Sequence, residues 1–216
     1  MTDVYLESGA RRVFACALDW PGWARSGKDE RTALEALAAA APRYAAVAKA
    51  ARVPFPTAAG SSLKVVERPA GNASTDFGVP GAIASRDRKP TTAADAKRIA
   101  ALVAASWKVL ERTVAGAPAS LRKGPRGGGR DRDAIVAHVV SAESHYYTRA
   151  LGLRYPELHP GDRREVKAMR DAILEVLSAP SKGKPLAEKG WPQRYAARRI
   201  AWHALDHAWE IEDRGA

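Results

Sequence analysis

The spacing of apolar residues gives the chain two textures. In the first, VYLES (4–8) and RRVFACALDW (11–20) alternate apolar and polar positions with the period of a strand, and Gly9-Ala10 reads as the turn between them. Pro21-Gly22 ends the second run, and WARSG (23–27) reads as a short third strand. Asp29 is placed to cap a helix over RTALEALAAAAPRYAAVAKAA (31–51). Pro42 should kink or split that helix, because proline lacks the N–H that would bond back one turn. LKVVERP (63–69) and TDFGVPGAIA (75–84) read as further strands.

The second texture begins after the polar, proline-bearing SRDRKPTT (85–92), where a domain boundary is expected near residue 88. From Thr92, a good N-cap residue, apolar positions recur at helical spacing. Ile99, Leu102, Val103, Trp107 and Leu110 form the stripe of a helix over 93–115, and a second helix runs from about Asp133 to Leu151. A third, over 163–179, carries Val166, Met169, Ile173, Leu174 and Leu177, and a fourth, over 192–214, opens on Pro192. The pattern predicts an α+β chain: a small N-terminal α/β domain over 1–88, then a four-helix bundle over 89–216.

Charge and cysteine content narrow the function classes. The 216 residues hold 35 basic and 24 acidic side chains, a net charge of +11 that fits either an anionic partner or an arginine-rich composition. Cys16 is the single cysteine, so no intrachain disulfide forms and a reducing cytoplasm is expected. No apolar run is long enough to span a membrane. LRKGPRGGGRDR (121–132) gathers arginines among glycines, but it lacks the phosphate-loop signature and has no aromatic residue for base stacking. It reads as a flexible connection or a basic cavity rim, dispensable for folding.

The histidines carry the chemistry. His203 and His207 lie four apart, so on a helix they share a face about 6 Å apart along the axis and can aim at one ion. The alternative is a polar face with i,i+4 ion pairs among Arg199, Asp206, Glu210 and Asp213. His138 sits among Ile135, Val136, Val139 and Val140, with Ala134 and Ala142 one turn either side leaving space beside the imidazole. Helices 8–10 Å apart could bring it to the pair, giving three nitrogens and open positions. Ala204 stands where a zinc protease has its glutamate, so the motif is not of that type. Asp206 and Glu210 are candidate acceptors for imidazole N–H groups. His145 lies about 10.5 Å along the axis from His138 and is assigned to the cavity mouth or the surface. Trp202 and Trp209 are assigned to the core, and Cys16, mid-strand, is not read as a nucleophile.

With His138 in IVAHVVSAE, His203 and His207 in AWHALDHAWE, and the trailing HYYTRALG, residues 90–216 resemble the DinB/YfiT-like superfamily. That resemblance implies a four-helix bundle whose three histidines bind a divalent ion, nickel or zinc. It also implies a metal-dependent enzyme acting on a small molecule: a thiol-dependent S-transferase using a low-molecular-weight thiol, an isomerase or a hydrolase. VFACALDWPGWARSGKDERTALEAL more faintly resembles the HicB-like fold, which implies a partner-binding or dimerising module and hence a homodimer. The competing reading is a non-enzymatic module that binds nucleic acid or a protein through its basic surface.

Overall fold

The computed structural model describes residues 1–124 and 129–215. The middle of the basic connection, residues 125–128, lies outside them. Strands β1 (Thr2–Ser8), β2 (Val13–Ala17), β3 (Ala24–Gly27) and β4 (Leu63–Glu67) form one mixed sheet in the order β3-β2-β1-β4. β1 pairs antiparallel with β2, placing Tyr5 opposite Cys16, and β4 returns parallel to β1. That parallel return is made through helices α1 (Glu30–Ala39) and α2 (Ala41–Ala50), since parallel neighbours need a long crossover. Asp29 caps α1 through the Thr32 N–H, and Pro42 splits the helical run by falling in the first turn of α2.

All five residues of β2 are buried. Val13, Ala15 and Ala17 face one apolar cluster with α1 and α2, while Phe14 and Cys16 face a second that holds Trp202. The sheet is thus covered on both sides.

The strand expected over 75–84 does not form. Asn72 accepts a hydrogen bond from the Ser74 N–H at 2.8 Å, and the Thr75 hydroxyl bonds back to the Asn72 N–H, which caps a short helix α3 (Ala73–Phe77). Gly78, at φ +109, ends it. The apolar residues that follow are held to the sheet by the buried Glu7 carboxylate, which accepts from the N–H groups of Gly81 and Ala82. Local capping chemistry prevails here over weak alternation.

Helices α4 (Ala93–Gly116), α5 (Arg132–Ala142), α7 (Arg163–Ser178) and α8 (Gln193–Gly215) make up the rest. Thr92 caps α4 as expected. α5 continues through a π-helical turn over Glu143–Tyr147 into the short α6 (Thr148–Ala150). α4 packs against α7 and α8, and α5 packs against α8. Buried Ala196, Ala197, Ala201, Ala204 and Ala208 make α8 narrow enough to be surrounded. Gly22, at φ +91, lets the Pro-Gly turn close on the same helix: a Cβ there would stand 2.7 Å from Leu205 Cδ1.

The main apolar cluster is continuous across the boundary expected at residue 88, joining Leu6, Trp23 and Tyr44 to Leu102, Ile200 and Trp209. A polar link crosses it too. Arg198 of α8 donates from Nε to Asp87 at 3.1 Å and from Nη1 to the Tyr5 hydroxyl at 2.7 Å, with all three groups buried. No helix among the described residues is long and apolar enough to cross a membrane.

Candidate metal centre

α8 presents His203 and His207 on one face because one helical turn separates them. α5 brings His138 against them from 65 residues away in sequence. The three imidazoles offer ligand atoms that all lie within 4.8 Å of one another. The Nε2 atoms of His138 and His203 are 3.2 Å apart. A tetrahedral ion 2.0–2.1 Å from each of two nitrogens would hold them about 3.3 Å apart, so the spacing fits a shared divalent ion. It also fits a single N–H···N hydrogen bond, but that arrangement gives the third imidazole no part.

The protonation state suits ligation. Burial pushes the pKa of His203 well below the usual imidazole value, with His207, His138, Arg199 and Arg130 adding in the same direction. Burial also lowers that of His138, followed by His207 and Arg130. Both rings are therefore neutral at pH 7, with lone pairs available.

Glu210 takes the role of acceptor expected of it. Its Oε2 lies 2.9 Å from His207 Nδ1, while Arg214 holds its other oxygen at 2.6 Å. The hydrogen bond from His207 keeps the Glu210 carboxyl below its usual range, followed by the pull of Arg214. The proton is thus directed to Nδ1, and Nε2 of His207 is left as the free lone pair. Asp206 turns the other way and pairs with Arg25 of β3 at 3.0 Å. It braces α8 against the sheet edge rather than touching an imidazole.

The sites assigned from spacing alone divide. His145 is exposed, beside Tyr146 and Arg149, on the rim of a cavity of about 350 Å³ that Lys189 and Trp191 complete. The π turn that contains it has a wider repeat than an α-helix, which shifts residues after 143 relative to the face carrying His138. The same shift brings Tyr147, which spacing did not select, inward: its ring meets His203 edge-on at 5.6 Å. His159 lies in an exposed loop, its N–H bonded to Asp162. Trp202 and Trp209 are both buried as expected, the first edge-on to Phe14 and the second under Arg25 and Arg43. Cys16 is buried mid-strand with its thiol pushed up to about 12 by burial, far from the thiolate a nucleophile needs.

His203 is held differently from His207. Its Nδ1 is buried with no hydrogen-bond partner among the described residues, and its ring packs against Tyr147 and Trp202. His138 is half-buried and Ala134 beside it exposed, so the triad opens to solvent on the α5 side. A cavity of about 670 Å³ between α4, α5 and α7 is lined by Val136 and Val140. These lie two residues either side of His138 and hence on the opposite face of α5. The histidine triad therefore does not line that cavity. Comparison with protein-family models, curated proteins and solved structures finds no match for the chain.

Proposed function

We propose that the chain is a metal-dependent enzyme of the DinB/YfiT-like type acting on a small molecule, with His138, His203 and His207 as ligands to nickel or zinc. The observation that carries this reading is the convergence of three imidazole ligand atoms within 4.8 Å of one another, contributed by two helices. When bound, a divalent ion supplies Lewis acidity at the positions the protein leaves open. His207 is oriented by Glu210, and His203 is clamped between aromatic rings, so neither must reorganise on binding. A thiol-dependent transfer fits the open side beside Ala134, where a small co-substrate has access.

A zinc or nickel titration of the chelator-treated protein tests the reading. Wild type should bind one ion per chain, and a hundredfold excess over Kd should raise stability by about 2.7 kcal/mol. His138→Ala and His203→Ala should each abolish most of the binding, whereas His145→Ala and His159→Ala should leave it unchanged. Glu210→Gln should weaken it by about 10–100-fold, the usual effect of removing the group that orients a ligating histidine. Equal binding by wild type and His203→Ala would reduce the triad to a polar helix face.

A further inference from the structure

The helices leave an open trough on the side of α5 away from the histidines. α7 packs against α4 and α5 packs against α8. The cavity of about 670 Å³ runs between α5 and α7, with α4 as its floor. Buried Trp107 and Leu110 of α4, Val140 of α5 and Val166 of α7 line it. Val136 and Leu174, both half-buried, extend the apolar surface. An open apolar surface of this size loses free energy to water unless something covers it.

The charged side chains around the trough are unequally satisfied. Arg170 donates to the buried Glu143 at 2.9 Å and to Glu111 at 2.8 Å, and its guanidinium lies 5.0 Å from the centre of the Trp107 ring. Lys167 pairs with Asp171 at 2.6 Å. Glu111 and Asp171, the two acids that line the trough, are therefore both taken. Lys108 of α4 and Arg163 of α7 also line it and are exposed, and neither makes an ion pair among the described residues. The charge left over beside the apolar floor is positive.

We infer that this trough binds a small amphipathic carboxylate, its apolar body over Trp107, Leu110 and Val140 and its head group at Lys108 and Arg163. The volume falls within the range of about 300–1,000 Å³ usual for small-molecule sites, which are mostly apolar with a few polar groups that fix orientation. The two free cations set the sign of the head group. A singly charged carboxylate gives up less hydration beside apolar walls than a phosphate does. The site does not depend on the metal reading, because the histidines lie on the other face of α5.

Calorimetry with octanoate as the probe tests this on the full chain, zinc-loaded and chelator-treated. Wild type should bind octanoate saturably and equally in both states, more tightly than octan-1-ol and far more tightly than octylammonium. Each methylene added from butyrate to octanoate should tighten binding by up to about fourfold as it leaves water. Lys108→Gln combined with Arg163→Gln should weaken octanoate about tenfold and leave octan-1-ol unchanged. Ala104→Trp, which fills the trough from its floor, should abolish both while keeping the circular dichroism of wild type. Because Lys108 and Arg163 are exposed, the paired glutamine variant tests the site even where Ala104→Trp does not fold. No saturable binding by wild type, octylammonium binding as tightly as octanoate, indifference to chain length, or full octanoate affinity in either variant would each overturn the site. Loss of octanoate in His203→Ala would move the carboxylate to the histidines and overturn it too. A dimer that Ala104→Trp breaks, with no octanoate bound by wild type, would give the trough to a second copy of the chain.

Discussion

Arg198 and Arg199 are neighbours on α8, and their surroundings are opposite. Arg198 points to the sheet, where Asp87 and the Tyr5 hydroxyl meet its guanidinium and all three are buried. Arg199 is only partly buried beside the Trp191 and Trp202 rings, and no acceptor among the described residues meets its Nε or Nη1. A step of one residue turns a helix by about 100°, enough to move a side chain from one environment to the other. Arg198 joins the end of the N-terminal segment to the last helix and is structural. Arg199 makes no comparable ion pair among the described residues.

The largest expected effect comes from removing the Arg198 side of the comparison altogether. A chain of residues 89–216 would expose Trp202 and Leu205 of α8 and leave Arg198 without Tyr5 or Asp87. It is expected to stay helical by circular dichroism but to lose its cooperative melt. A sharp melt would show that the helices hold a sufficient core of their own and that the Arg198 link only docks the sheet.

Within the full chain, Asp87→Ala should lower stability by about 3–5 kcal/mol in urea denaturation, because a buried guanidinium loses its partner. The double change Asp87→Ala with Arg198→Met should cost less than Asp87→Ala alone, since no charge is then left stranded. A double variant worse than the single would mean that packing, not pairing, dominates there.

A smaller effect concerns pH. His138 and His203 have pKa values below that of an unfolded histidine, about 6.5. Between the folded and unfolded values the unfolded chain binds more protons, so stability present above pH 6.5 should fall as pH drops below it. The metal-free protein should show this decline in urea midpoints between about pH 6.5 and 5, and His203→Gln should flatten it. A wild-type profile level over that interval would show that the imidazoles are not held neutral by burial. Arg199→Met completes the series as the smallest change, its Tm close to that of wild type, since the partly exposed Arg199 gives up no ion pair among the described residues.

Much of this was legible in the residue pattern. Alternation placed β1 and β2, Asp29 and Thr92 marked two helix starts, and Pro42 divided α1 from α2. The small residues around His138 and the spacing of His203 and His207 pointed to the three side chains that meet. The Asn72 cap was hidden in a run whose apolar residues looked strand-like. Tyr147 was missed because a π turn changes the helical repeat, and an averaged repeat of 3.6 carries the wrong face past it. Asp206 was grouped with the histidines by spacing, yet Arg25 of β3, 181 residues away, takes its charge.

The sequence by itself determined which residues share a turn: His203 with His207, Glu210 with Arg214, Arg199 with His203. That follows from backbone geometry, which depends only on a helix forming. Tertiary structure alone decided which of those side chains found partners. His138 reached the pair because α5 packs on α8, and Arg198 found Asp87 because the chain before α4 returns to the sheet. Arg199 found none for its Nε or Nη1 among the described residues. Local order follows from the spacing of residues along one element, whereas pairing depends on which distant group arrives within about 3 Å. In a chain with 35 basic side chains, the sequence does not say which of them pairs with which acid.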